Sequence, residues 1–490
     1  MSSIIKVDTI QDQAGNNIIS ESSNTITIGA SGDTITIPAG ATFTNSGTTS
    51  AITISGALAV DGGTVKLDGN YPTGTDNVAL GDTALDSVEA GGINNVAIGS
   101  KAGTAITTGD NNIVIGLCAG LKTNTGGQNI GIGSFAFCNN TTGCKNVAIG
   151  QSAMKASTTG CFNVGIGMGS LALHETADGN TAVGACSMAS TTTGASNVAV
   201  GYLSLDANTT GATNVAIGRG SLGANTTASN NTAVGDLSLA ANTTGANNTA
   251  VGNIALTANT TGEDNVAVGD YALRSNTEAD DNTAVGVAAL NLNTTGANNT
   301  AMGRSALGVN TTGLCNVAVG SRSLDANTTG CYNTAVGEAA LGSNTTAKCN
   351  TAIGLCAMKN NTTGAENTAL GSEAIKYGTT GSFNVALGVC TLGGSDVNTG
   401  NHNISIGRKS MFDNTSGHQN VGVGSGSLEN NTTAESNVAV GYIALCSNTT
   451  GSSNTAVGVC AGCAVTTGGN NTMIGRLAGT STSPFTVTDT

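Results

Sequence analysis

Thirteen cysteines and three histidines are the residues of this 490-residue chain best suited to metal, redox or acid–base chemistry. Cys460-Ala461-Gly462-Cys463 has the C-x-x-C spacing of zinc ligands and thiol–disulfide centres. No second such pair and no histidine partner accompanies it, so neither a metal site nor a cofactor is expected. Cysteine recurs instead at a few fixed places in a repeat, as a tolerated small residue. Cys144 and Cys161 stand one repeat apart at the same place and could bridge, as could Cys446 and Cys463; a reducing cytosol would keep them as thiols. His174, His402 and His418 lie in different repeats at turn positions, where solvated rings rather than catalytic bases are expected. Gly165-Ile166-Gly167-Met168-Gly169 and Gly422-Val423-Gly424-Ser425-Gly426 imitate nucleotide-binding loops. No helix-forming stretch follows them and no Gly-Lys pair exists, so no phosphate cradle is expected. The acidic pairs Glu263-Asp264 and Asp280-Asp281 read as solvated edges. No catalytic group emerges, and the chain is not expected to be an enzyme.

What positions all these residues is one 17-residue unit written 24 times. Each unit begins at an Asn, as in Asn214-Val215-Ala216-Ile217-Gly218, Asn231-Thr232-Ala233-Val234-Gly235 and Asn248-Thr249-Ala250-Val251-Gly252. Only two steps depart from 17 residues: 18 from Asn77 to Asn95 and 19 from Asn384 to Asn403. A short fixed period predicts an all-β parallel solenoid, in which a unit too small to fold alone is stable on its neighbours. Counting the Asn as position one, positions two to four alternate β-branched and small residues, the pattern of a short strand. Gly218, Gly235 and Gly252, at position five, end it with a turn. Positions six to eleven, centred on Ala/Ser-Leu, are too few for a helix and suggest a second short strand or extended corner. Asn-Thr-Thr-Gly then closes the coil, the Asn bonding ahead to backbone and the Gly supplying a positive φ.

From this pattern the expected interior is built from positions four and nine: Ile217 and Leu222, Val234 and Leu239, Val251 and Leu256. Asn214, Asn231 and Asn248 would stack with their equivalents into amide ladders. Ala216, Ala233 and Ala250, at position three, would form a flat outer face where another backbone approaches. No Lys, Glu or Gln occurs at that position in any coil. That exclusion suggests a parallel homotrimer with the Ala column on the axis. Stacking at about 4.8 Å per coil gives a length on the order of 110 Å.

Three segments follow from the pattern: a β-rich stem at 1–76, the solenoid at 77–479 and a polar tail at 480–490. In the stem, Thr25-Ile26-Thr27-Ile28, Thr34-Ile35-Thr36-Ile37 and Ala51-Ile52-Thr53-Ile54 read as strands. Gly393 to Asn398 reads as a loop bulging from a regular surface. Charged residues are only 9%, the net charge is −14, and no basic cluster occurs, which excludes nucleic acid as a partner. No apolar run suits membrane insertion. The opening Met1-Ser2-Ser3-Ile4-Ile5-Lys6 lacks the charged-then-apolar pattern of a secretory signal, so synthesis as a cytoplasmic product is expected.

The Asn-Val-Ala-Ile-Gly-x-x-Ala/Ser core, as in Asn95 to Ala102 and Asn214 to Ser221, resembles the head repeats of trimeric autotransporter adhesins. Those repeats are shorter and build a trimeric left-handed parallel β-roll. The fuller Asn-Thr-Ala-x-Gly-x-x-Ala-Leu-x-x-Asn-Thr-Thr-Gly unit is similar to repeats of bacterial surface proteins and phage tail fibres. The segment Ser3-Ile4-Ile5-Lys6-Val7-Asp8-Thr9-Ile10-Gln11-Asp12, with Thr34 to Phe43, resembles the start of structural proteins from marine cyanophages. The repeat resemblance covers about four fifths of the chain. It implies a trimeric tail fibre on a virion, with residues 1–76 meeting a tail or baseplate protein and the rod reaching a host surface receptor or glycan. The alternative it implies is a cell-surface adhesin or extracellular filament. No membrane-anchor barrel pattern follows the repeats, a departure that favours the fibre.

Overall fold

The computed structural model describes residues 9–11, 17–22, 25–28, 74–394 and 397–480. The chain divides into two compact units, Met1–Lys66 and Leu67–Thr490. In the first, β1 (Thr9–Gln11), β2 (Asn17–Ser22) and β3 (Thr25–Ile28) form an antiparallel meander. The expected strand at Thr25 is thus β3. Those at 34–37 and 51–54 lie outside the described residues, as does the tail at 481–490.

The second unit is a parallel β-solenoid. Twenty-four strands of three residues, from β4 (Val78–Leu80) to β27 (Thr472–Ile474), each pair in register with the next. Between β12 (Val215–Ile217) and β13 (Thr232–Val234) the partners are Val215 with Thr232, Ala216 with Ala233 and Ile217 with Val234. The irregular steps keep this register, since Val78 pairs with Val96 and Val385 with Ile404. Of the loop expected at Gly393 to Asn398, residues 395–396 lie outside the described residues; Gly393, Gly394 and Asn398 are buried rather than bulging, and Asn398 bridges back to Gly378.

Two rows of buried asparagines explain why the register cannot slip. Asn231 N–H donates to Asn214 Oδ1 at 3.0 Å, and Asn214 Nδ2 donates to the carbonyl of Ala228 at 2.9 Å. The backbone link to the preceding Asn continues from Asn95 to Asn471. At position twelve, side-chain amides bond directly to one another, as in Asn259 to Asn242 at 2.8 Å and Asn276 to Asn259 at 2.9 Å. Each amide also bonds ahead to the carbonyl at position fifteen. A one-residue slip would bury every one of these amides without partners.

The segment after each strand is not a second strand. Positions five to eleven form two linked turns, closed by Ser221 N–H to Gly218 O at 3.4 Å and Asn225 N–H to Leu222 O at 3.1 Å. Positions seven and nine are left-handed, with φ of 61° at Gly220, 50° at Leu222, 53° at Leu237 and 50° at Leu239. A leucine there costs on the order of 1–3 kcal/mol of backbone strain. Burying its side chain recovers about 1.5–3 kcal/mol, and its N–H is satisfied by the next coil, Leu222 to Ser238 O at 3.0 Å. Gly218 turns at φ 130°, and a Cβ on it would run into the carbonyl of Gly235. The glycine of Asn-Thr-Thr-Gly has a different role from the one expected. Its φ is not positive; at Gly245 the carbonyl of Gly262 in the next coil lies where a Cβ would go, and coils with Ala at this position, such as Ala228, take up that contact. The left-handed residue is the one at position seventeen, such as Asn230 at 63°.

The interior corrects the expected inward and outward sense of the strand. Ala216, Ala233 and Ala250 are fully buried inside the coil, together with Leu222, Leu239 and Leu256. Ile217 and Val251 are 39% and 36% exposed, and Val234 is half-buried. Strand side chains alternate, so the inward Asn at position one carries position three inward with it and turns positions two and four out. Alanine at position three is therefore not an outer trimer face. It is the residue that fits opposite the position-nine leucine across a narrow coil. Ile217, Val234 and Val251 are not core.

Candidate interaction face

Positions two and four of the 24 strands align as two outward columns. Position two is Val, Ile or Thr, with Thr in ten coils, while position four is Val, Ile, Leu or Met in every coil. β-Propensity accounts for the first column, because a pleated surface suits β-branched residues, Thr included. It does not account for the second, which admits Leu and Met but never Thr or a charge. Parallel sheets are ordinarily covered on both faces. Here the coil's own turns cover one face, and the other is bare. A band two residues wide along 24 strands presents about 750 Å², taking about 3.3 Å per residue and about 4.8 Å per strand. A standard protein interface covers about 800 Å² on each partner.

The side chains that could do chemistry are scattered along the turns. His174 is buried at position twelve, in the place of the usual Asn, not solvated as expected. Its Nε2 lies 2.8 Å from Ala177 O and its Nδ1 3.3 Å from Ser157 Oγ. Burial pushes its pKa below the ordinary 6.5. His402 is exposed and stacks on Phe383 with ring centroids 4.8 Å apart, and His418 pairs with Glu435 on the surface. The glycine triplets at 165–169 and 422–426 are strand and turn positions of the coil. Glu263, Asp264, Asp280 and Asp281 are exposed coil edges. Among the described residues no three His, Cys, Asp or Glu side chains are grouped to hold a metal, and no helix is long and apolar enough to cross a membrane.

Position sixteen has a role that the repeat alone did not disclose. Where the next coil carries an acceptor there, its backbone N–H is received by that side chain: Ala212 by Ser229 at 3.0 Å, Glu263 by Asp280 at 2.8 Å, Ala365 by Ser382 at 3.0 Å and Glu435 by Ser452 at 3.1 Å. The recurrence of Ser, Asp and Cys at this variable position was the available signal.

Comparison with protein-family models, curated proteins and solved structures finds no match. The face must be read from its own chemistry.

Proposed function

We propose that the solenoid is the shaft of a virion appendage, a tail fibre, assembled as a parallel homotrimer through the outward columns at positions two and four. The observation that carries this reading is the unbroken apolar column at position four. An exposed column has no physical reason to exclude Thr, Lys and Glu in all 24 coils; a covered one does. The partner that matches a band with a repeat of about 4.8 Å over its whole length is a second copy in the same orientation. A strictly apolar column beside one tolerant of Thr suits a threefold axis, with position four at the centre and position two at its flank. In this reading residues 1–76 attach to a virion tail or baseplate protein, and the shaft extends contact toward a host receptor or glycan. Sedimentation of the native protein tests the assembly: a mass about three times 47.6 kDa is expected, and a monomer removes the reading. Mass spectrometry of purified virions tests the location.

The resemblance of Asn214 to Ser221 to adhesin head repeats favours one alternative, a subunit of a cell-surface adhesin or filament. Immunogold labelling of intact cells, set against labelling of virions, separates the two.

A further inference from the structure

Cys460 and Cys463 are joined to each other, and eleven cysteines are free thiols. Of the free ones, only Cys144 and Cys161 hold the same position, sixteen, in consecutive coils. In-register stacking sets equivalent Cα atoms about 4.8 Å apart, within the roughly 4.4–6.8 Å that a disulfide spans. Their sulfurs lie 2.7 Å apart. Cys144 N–H donates to Cys161 Sγ at 3.1 Å, so Cys161 serves as the acceptor that Ser229 and Asp280 supply at the same position in other coils, and this bond aims it at Cys144. Cys161 N–H in turn is received by Asp178 Oδ1 at 2.7 Å. The hydrogen bond to Cys161 holds the Cys144 thiol above its ordinary pKa of 9.0.

Beside the pair lies a recess. Position sixteen of the preceding coil is Gly127, which lines an open cavity of about 270 Å³ together with Asp110, Gln128, Cys144 and Lys145. One oxygen of Asp110 is engaged by Ile93 N–H, and the Lys145 ammonium lies 5.0 Å from the centre of the Phe162 ring. The walls carry a carboxylate, an amide and an ammonium group, and one of them is a thiol. This chemistry suits a small, charged sulfur compound.

We propose that Cys144 and Cys161 are a redox-active pair, which a low-molecular-weight disulfide reaching them through the Gly127 recess converts into a bond between adjacent coils. One cysteine thiolate attacks a sulfur of the reagent, forming a mixed disulfide and expelling a low-mass thiolate. The other cysteine thiolate then attacks the protein sulfur of that mixed disulfide, forming the Cys144–Cys161 bond and expelling the second low-mass thiolate. Two protein thiols lose two electrons and two protons, and the reagent is reduced to two thiols. The bond pins the coil that begins at Asn129 to the one that begins at Asn146. Opening of these coils, near the start of the stack, would then require reduction. The proposal does not depend on the tail-fibre reading.

The test uses the full chain, reduced, freed of reductant and incubated with oxidised glutathione. Free thiols are then alkylated and the denatured protein is digested with trypsin without reduction. Cleavage after Lys122, Lys145, Lys155 and Arg219 places Cys144 and Cys161 on separate peptides, 123–145 and 156–219. A cross-linked pair of these peptides is expected, absent from Cys161→Ser. Serine is native to this position at Ser229, Ser382 and Ser452, so the variant keeps its coil. Gly127→Glu, which places in the recess a residue found at the same position at Glu263 and Glu435, is expected to slow the linkage by about tenfold. Recovery of both cysteines alkylated, or both carrying glutathione, overturns the pair. An unchanged rate in Gly127→Glu overturns the recess as the route.

Discussion

Val114 and Gly120 exchange the sizes found at their positions in other coils. Position three is Val rather than Ala, position nine is Gly rather than Leu, and a Cβ on Gly120 would lie 2.6 Å from Val114 Cγ1. The reverse exchange pairs Gly131 with Phe137, where an added Cβ would come 3.5 Å from the Phe137 Cβ. One small volume is shared by the two positions, and filling it from one side empties the other.

This sharing predicts a compensating pair. Ala233→Val in a central coil should destabilise by about 1–3 kcal/mol through overpacking, and Leu239→Gly by about 2–5 kcal/mol through a cavity. The double variant should cost less than the sum, because it recreates the Val114–Gly120 arrangement. Denaturant unfolding of the four proteins, arranged as a double-mutant cycle, measures the coupling; strict additivity would falsify the shared volume.

The two faces of the strand should respond in opposite ways to charge. Leu222→Asp places a carboxylate without a partner in the interior and should unfold its coil, at a cost of several kcal/mol. Ile217→Lys, Val234→Glu, Val251→Lys and Val268→Glu together should leave the coils folded, since the side chains face outward and opposite charges stack. The same four changes should weaken association. Circular dichroism reports the first effect and sedimentation the second.

His174 makes one coil sensitive to acid. Its folded pKa lies below the ordinary 6.5 because burial disfavours the charged ring. The stability it permits is therefore complete above 6.5 and is lost as the pH falls through the lower folded value. Between 6.5 and that value, local opening should rise by up to about tenfold per pH unit, and below it the dependence should level off. Hydrogen exchange across residues 163–179 should show this slope, and His174→Asn, which restores the commoner residue, should abolish it.

Asn259→Ala should test the amide ladder. It leaves Asn242 Oδ1 without its side-chain donor, Asn276 Nδ2 without its ladder acceptor and Gly262 O without one of its donors. A loss of about 1–3 kcal/mol is expected from these unmet buried groups, read as a lower unfolding midpoint. An unchanged midpoint would mean that water replaces the amide.

The period, the 24 strands, the glycine turn at position five and the Asn ladders were legible in the sequence, because each depends on neighbours 17 residues apart stacking on one another. The exchange between Val114 and Gly120, or between Gly131 and Phe137, was legible too, and it would have placed positions three and nine together inside. What the pattern of Asn214 to Gly218 could not decide is which side of the strand faces in. Alternation yields two faces, and by size alone Ile217 looks like core and Ala216 like surface. The tertiary structure decides otherwise for two reasons. Asn214 reaches its acceptor, the carbonyl of Ala228, only across the inside of the coil, and Leu222, held left-handed by the turn, already fills the opposite wall. Only Ala fits what remains, so the larger Ile217 is turned outward, onto the face where a second copy of the chain is proposed to cover it.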